Sequence, residues 1–255
     1  MIDARREADA AAHAAGVGVR PGVIDARREA DAAAHAAGVG VRPVDGVVLV
    51  PFLESIWGAG RAGDPALLRV IAHAGNSVLA AYRDERIVGA ALGVLGWTDG
   101  LHLHSHMVAV DPGLRAGGVG FAIKLAQRAE CLDHGVAEMR WTFDPLIRRN
   151  AHLNLVKLGA RVLAYRPHFY GELADAINGD DATDRFEVGW RLDAPLGAAP
   201  AGGPAEVVLP PDYEALRRED AAAARVLRAT SGAAFASAAA AGRGIRFTGD
   251  GYRFG

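Results

Sequence analysis

Between residues 39 and 192 the chain alternates short apolar segments of strand period with longer segments of helix period, and this order restricts it to a sheet covered by helices. Residues 39–44 read as a short strand and 48–57 as a helix. A second helix follows Gly63, with Asp64 as N-cap and Pro65 at its first position, and stops near Gly75. Residues 77–82 and 87–95 are strands joined across Arg83-Asp84-Glu85-Arg86, an antiparallel hairpin. Residues 101–110 form another strand. After the loop 111–120 comes a helix over 121–134, closed by Gly135. Its Phe121, Leu125, Ala129 and Leu132 share an apolar face, while Lys124, Gln127, Arg128 and Asp133 lie elsewhere. Residues 138–143 read as a strand, 145–158 as a helix ended by Gly159, and 161–165 and 186–192 as strands. The expected fold class is α/β, a mixed β-sheet flanked by helices on both faces.

The two ends are organised differently. Residues 2–21, IDARREADAAAHAAGVGVRP, recur letter for letter as residues 24–43. Solenoid units diverge and need about three copies to be stable, so two perfect copies do not make an array. A recent duplication or a misplaced start explains them better, since Val23 stands where Met1 stands in the first copy. Each copy is Ala-rich and reads as a helix ending at Gly16 or Gly38. Only the second copy is expected to join the fold. Residues 1–22 are then an extra segment and 23–194 the main domain. Residues 195–205, rich in Ala, Gly and Pro, read as a linker. Residues 206–255 form a small α+β appendage: a strand at 206–209, mostly helix over 213–241, and a terminal strand at 245–254 turning at Gly249-Asp250-Gly251. It is too small for a core of its own and is expected to pack on the main domain.

Composition narrows the function. With 28 Lys+Arg against 30 Asp+Glu, the formal net charge is -2, without the basic excess that nucleic acid or an anionic membrane surface demands. The single Cys131 excludes an intrachain disulfide and a multi-thiolate metal cluster. No apolar run reaches membrane-spanning length, and Asp3, Arg5, Arg6 and Glu7 do not suit a signal peptide. The expectation is a cytoplasmic protein.

The segment with chemical content is Val110-Asp-Pro-Gly-Leu-Arg115-Ala-Gly117-Gly118-Val119-Gly120. A glycine-rich loop leaves a strand and opens onto a helix N-terminus, where unpaired N–H groups and the helix dipole favour an anion such as a pyrophosphate. Glycines allow close backbone approach, and Arg115 adds a charged donor. It is not a Walker A loop, for no Gly-Lys-Ser/Thr occurs, and Ile123 stands where a Rossmann fingerprint needs its third glycine. A plain strand-to-helix turn fits the same letters.

Arg115-x-x-Gly118-x-Gly120 after a Val-Asp-Pro strand end resembles the acyl-CoA binding loop of GNAT acyltransferases, and the order of elements from 39 to 192 is similar to that fold. The resemblance implies that the backbone of Arg115, Gly117, Gly118, Val119 and Gly120 holds the pyrophosphate of an acyl-CoA co-substrate. It also implies that the strand edge at Met107, Val108 and Val110 pairs with the pantetheine arm. His104-Ser-His106, Trp141-Thr-Phe-Asp-Pro-Leu146, Arg148-Arg149-Asn150, the stretch from Asn154 to Ala160 and Phe169-Tyr170-Gly171 resemble a GNAT subfamily found beside N-acylamino-acid racemases in some genomes. That likeness implies N-acylation, including succinylation, of an amino acid or short peptide. The donor is a free acyl-CoA or an acyl-phosphopantetheine on a carrier protein, which present the same thioester. One departure stands out: Leu155 occupies the place of the family's usual tyrosine acid, so Tyr165 or Tyr170 could replace it only if the fold brings one close. The same gap admits a non-catalytic acyl-CoA or partner-binding protein.

Other residues carry expectations of their own. His102, His104 and His106 alternate along one strand and so share one face of the sheet. A neutral imidazole near pH 7 can take the proton that an attacking amine must lose, which makes His106 and His104 candidate bases; no carboxylate or thiolate at ligand spacing suggests a metal. The bland alternative is histidines bonded to their neighbours. Asp144 precedes Pro145 and reads as an N-cap, with a substrate amine as its other possible partner. Arg148 and Arg149 lie in a first helical turn, where cations oppose the dipole, so an anionic substrate group or plain solvent would face them. Asn150 and Asn154 are one turn apart and face either the co-substrate or the backbone. Trp141 is a candidate wall of the acceptor site. Cys131 reads as core. Because the second copy already supplies the helix beside the first strand, deleting residues 1–22 is expected to leave the melting temperature unchanged within error. A marked drop in a thermal melt would mean that the first copy packs on the fold.

Overall fold

The computed structural model describes residues 21–171 and 181–255; the first repeat copy up to residue 20 lies outside the described residues. In chain order the elements are α1 (Pro21–Ala36), β1 (Gly40–Pro43), α2 (Val50–Trp57), α3 (Pro65–His73), β2 (Val78–Arg83), β3 (Arg86–Gly96), β4 (His102–Val110), α4 (Val119–Asp133) and β5 (Glu138–Phe143). They continue with α5 (Arg148–Ala151), whose next turn is a π-helix (His152–Lys157), then β6 (Arg161–Arg166), β7 (Arg185–Arg191), β8 (Val207–Val208), α6 (Tyr213–Glu219), α7 (Ala221–Ala240), β9 (Ile245–Phe247) and β10 (Gly251–Phe254). Seven strands form one mixed sheet in the order β1-β2-β3-β4-β5-β7-β6, and β8-β10-β9 form a small antiparallel sheet. β4 and β5 are parallel, while the other pairs in the large sheet are antiparallel. This is the mixed, helix-flanked sheet that the alternation predicts.

Strand β2 shows how sequence period sets the layers. Val78 and Ala80 face a core shared with Leu53 of α2 and Leu68 of α3, while Leu79 and Ala81 face Val119 and Ile123 of α4. Both faces are covered, so the strand is apolar throughout rather than alternating. Asp64 caps α3 through the Ala66 amide at 2.8 Å.

Helix α4 departs from its expected amphipathic reading. It lies between the sheet and α1, so its polar side is buried too. Arg128 reaches the Leu192 carbonyl at 2.7 Å and pairs with Glu29 of α1. Lys124 and Gln127 turn towards β4 instead of solvent. Helix α1 is held on α4 by buried Ala26 and Ala30 and by the Arg27–Asp133 ion pair at 2.5 Å. The helix expected from 145 starts only at 148. The Tyr252 hydroxyl donates to the Pro145 carbonyl at 2.7 Å, which removes that carbonyl from a helical ladder. The stretch expected to be mostly helix over 213–241 is two helices that meet at Asp220, whose carboxylate caps the second through the Ala223 amide.

The C-terminal segment shares the main core. Phe235 of α7 and Tyr252 of β10 are wholly buried against Phe186 of β7, with ring centroids 4.7 and 5.2 Å away. Each such side chain stabilises by roughly 1.5–3 kcal/mol. Residues 195–205 lie against the fold as well: the Ala198 amide bonds the Val156 carbonyl and the Ala201 amide bonds the Phe247 carbonyl. A buried charge cluster completes the attachment. Arg228 of α7 donates to both oxygens of Asp144 (2.8 and 2.7 Å) and to Asp181 (2.7 Å), and Tyr213 donates to Asp181 at 2.9 Å. Burial raises the Asp181 pKa, but Arg228, Tyr213 and Arg217 outweigh it and hold the carboxyl below its usual range. Removing one partner of such a cluster strands the others in a dry site. Arg228→Met is therefore expected to destabilise the chain by about 3–5 kcal/mol in urea denaturation. A loss under about 1 kcal/mol would show that the cluster is solvated instead.

Candidate active site

The site begins where two parallel strands stop pairing. β4 and β5 are in register at only Leu103↔Met139 and His104↔Arg140, although β4 runs on to Val110 and β5 to Phe143. At the same place the β3–β4 ladder skips a residue: Gly93 faces Ser105 and Leu92 faces Met107, leaving His106 as the extra residue of a β-bulge. A bulge bends its strand and frees backbone groups from the ladder. The edge of β4 beyond it offers N–H and C=O groups to whatever lies between the strands.

A cleft of about 1000 Å³ fills the gap. Ser105 to Val110 form one wall, and Trp141 to Asp144 of β5 the other. Arg115, Gly118, Val119 and Gly120 stand at one end, and Ile147 to Asn150, Asn154 and Lys157 of the α5 segment flank it. Pro211, Glu214, Arg217 and Gly249 bring the C-terminal segment to its rim. The sequence-derived candidates His106, Met107, Val108, Val110, Trp141, Asp144, Arg148, Arg149, Asn150 and Asn154 thus meet in one cleft together with the loop. His104, Gly117 and Tyr170 do not line it.

The loop leaves backbone amides without ladder partners at the start of α4. Asp111 accepts the Gly113 amide at 2.9 Å and pairs with Arg86, which fixes the turn. Gly118 is the N-cap of α4 with φ +86°, a left-handed conformation suited to glycine. The first intrahelical bond runs from the Ala122 amide to the Gly118 carbonyl, so the amides of Val119, Gly120 and Phe121 precede the ladder. A Cβ on Gly120 would meet only Val110 Cγ2 at 3.6 Å and Leu153 Cδ2 at 3.9 Å. Arg115 is exposed beside these amides.

The histidines do not form the simple row that alternation implies. The bulge interrupts the period between His104 and His106, yet their ring centroids lie 6.3 Å apart. His102 is buried over Gly96, with Nδ1 2.8 Å from the Gly100 carbonyl, and takes the bland role. Burial lowers the His106 pKa; burial and then the neighbouring His106 lower that of His104, with smaller effects from His102 and Lys124. Both imidazoles are neutral at pH 7 and able to accept a proton.

Several candidates have protein partners. Asp144 spends both oxygens on Arg228 and also accepts the Leu146 amide at 2.9 Å, so its carboxylate anchors the C-terminal segment. Its expected capping of a helix gives way to this turn, since Ile147 is the N-cap. Arg149 pairs with Glu214 at 2.5 Å, and Arg148 donates to the Gly249 carbonyl at 2.8 Å. These acceptors answer cations in a first turn that oppose the dipole. The Tyr170 hydroxyl lies 3.0 Å from Thr142 Oγ1. Leu155 is buried and has no ionisable group, while the Tyr165 hydroxyl donates to Asp184 at 2.7 Å.

The residue that sequence reasoning passed over is Lys124. Its Nζ sits where β4 and β5 part, donating to Ser105 Oγ at 2.9 Å, 3.8 Å from the centroid of the Trp141 ring and 3.8 Å from Met139 Sδ. Ser105 in turn donates to Gln127 Oε1 at 2.9 Å. Burial pushes Lys124 down to about 7, with Cys131 opposing, and pushes the Cys131 thiol up to about 12. The only signal in the sequence was its place on the helix one turn past Gly120. Because the folded-state value of Lys124 lies below the unfolded 10.5, the unfolded chain binds more protons between about pH 7 and 10, and stability rises with pH across that window. Lys124→Met is expected to remove that part of the rise, read as the difference between urea midpoints of parent and variant from about pH 7 to 9.5. An unchanged difference across the window would mean that the lysine is charged and hydrated.

Among the described residues no group of His, Cys, Asp and Glu is arranged to hold a metal ion, and no helix is long and apolar enough to cross a membrane. No family model and no curated protein matches the chain. Solved structures similar to it include an acetyltransferase of the GNAT family from Streptococcus pneumoniae, at 14% identity over 60% of this chain and 98% of that one, TM-score 0.47. Another is the ribosomal-protein-S18-alanine N-acetyltransferase from Escherichia coli, at 12% identity over 65% and 99%, TM-score 0.46. A third is a GNAT family acetyltransferase from Elizabethkingia anophelis with acetyl-CoA bound, at 12% identity over 60% and 98%, TM-score 0.46.

Proposed function

We propose that this protein is an N-acyltransferase that moves an acyl group from an acyl-CoA thioester to the amine of an amino acid or short peptide by direct attack. One observation carries the reading: two parallel strands part at a bulge, and the opening leads to a helix N-terminus preceded by Arg115 and glycines. A long, thin donor with an anionic end suits such a groove. The phosphates would lie on the amides of Val119, Gly120 and Phe121, and the pantetheine amides would pair with the β4 edge at Met107 to Val110. Asn150 and Asn154 line the same cleft. An acyl-phosphopantetheine carrier presents the same arm and is the alternative donor.

The chemistry follows from the groups at the opening. Donor and amine held together react as one molecule would, and backbone N–H groups freed by the bulge stabilise the oxyanion. His106, in the cleft and neutral at pH 7, accepts the amine proton, with His104 next to it as a relay. Asp144 serves as anchor rather than base. A second reading, an acyl-CoA binder without turnover, is favoured by the buried Leu155 at the place of the usual acid. It would retain CoA affinity and release no thiol.

His106→Ala is expected to lower turnover of acetyl-CoA with an amine panel by about 10²–10⁴-fold while CoA affinity stays near the parent's. Because the His106 pKa lies below its ordinary 6.5, the parent rate should rise with pH through a midpoint below that value, and the variant should lose this limb. Near-parental turnover across that range would remove His106 from the role. Gly120→Val has room for its Cβ but places a branched side chain where the anion would sit. It should weaken CoA binding by about tenfold or more, ~1.4 kcal/mol, in titration calorimetry. Parental affinity would refute the loop assignment.

A further inference from the structure

Lys124 is costly where it stands. A lysine with 3% exposure and no carboxylate partner among the described residues loses most of its hydration, and a methionine would pack there with less penalty. What surrounds it is a neutral hydroxyl, a thioether and the face of an indole. An indole face stabilises an ammonium without fixing it in an ion pair. Burial works the other way and pushes the amine down to about 7, so both its charged and its neutral form are within reach. It also lines the cleft, beside Ser105, where β4 runs on past its pairing with β5.

We infer that Lys124 is the proton donor to the departing thiolate, the catalytic acid that Leu155 cannot be. The inference rests on the acyltransferase reading above. In the step, the amine nitrogen bonds to the acyl carbon, the carbon–sulfur bond breaks, and its electron pair leaves on sulfur. The Lys124 ammonium gives that sulfur one proton, yielding free thiol and a neutral lysine. The surplus proton of the attacking amine goes to His106, and solvent resets both groups. Amide and thiol form in equal amounts, with no oxidant or further reactant. An acid that titrates near neutrality exists in useful amount at pH 7 and gives up its proton readily. Among the described residues, the titratable groups that act on it are His104 on β4 and Cys131 on α4, and its uncharged contacts include Ser105, Met139 and Trp141.

The test varies the leaving group. Parent, Lys124→Met and Lys124→Gln are assayed for amide formation from acetyl-CoA and from S-(4-nitrophenyl) thioacetate, whose acidic thiol needs no proton to depart. The expected result is a loss of about 10²-fold or more with acetyl-CoA and a loss within about threefold with the aryl thioester. The alkaline fall of the acetyl-CoA rate above about pH 7 should vanish in both variants. Circular dichroism and CoA affinity show which variant is folded, and either one suffices. Equal losses with both donors, or no loss, overturn the assignment of Lys124 and leave the acyltransferase reading standing. A parent that binds CoA but releases no thiol from either donor overturns both.

Discussion

The separation of β4 from β5 is the constraint on which the rest of the site depends. Parallel strands that stayed paired to their ends would fill the middle of the sheet and leave no groove. Here pairing ends after His104↔Arg140, and the bulge at His106 bends β4 away. Three consequences follow. The backbone edge of β4 is exposed, His106 is set in the opening, and the start of α4 comes to lie across its far end. The turn before α4 has positive φ at Ala116 and at Gly118, and the first residues of α4 line that space.

The second dependence is electrostatic. The C-terminal segment is tied to the end of β5 by Arg228, whose guanidinium satisfies Asp144 and Asp181 together. Its α6 then carries Glu214 to Arg149, and the loop before β10 carries the Gly249 carbonyl to Arg148. The hydrogen bond from Arg149, aided by Arg115, holds the Glu214 carboxyl below its usual range, so this rim stays paired at neutral pH. The main sheet supplies the groove, and the C-terminal segment supplies one lip of it.

Much of this was legible in the chain. Strand and helix periods are local, so the order of elements and the mixed sheet could be read from residues 39 to 192. The turn from β4 into α4 was legible because glycine spacing reports backbone conformation directly. Other features depend on distant contacts. Lys124 falls on the polar side of an amphipathic wheel, and nothing local tells that this side meets Ser105 on β4. Asp144 and Arg228 are 84 positions apart, so a capping role was the natural reading for a residue before proline. The bulge carries no mark in His-Ser-His-Met either, since one skipped residue depends on how β3 and β4 settle in register. Neither Arg148 nor Arg149 announces that its partner comes from the last 45 residues.

The central claim is that the gap between β4 and β5 receives the donor arm, with its anionic end on α4. Hydrogen–deuterium exchange with and without CoA tests this independently of turnover, because backbone amides that gain a partner exchange more slowly. The predicted result is slowed exchange at residues 106–110 and 118–121, with β2, β6 and β9 unchanged. CoA binding that leaves both of those stretches unprotected, or that protects a different face of the sheet, would contradict the account.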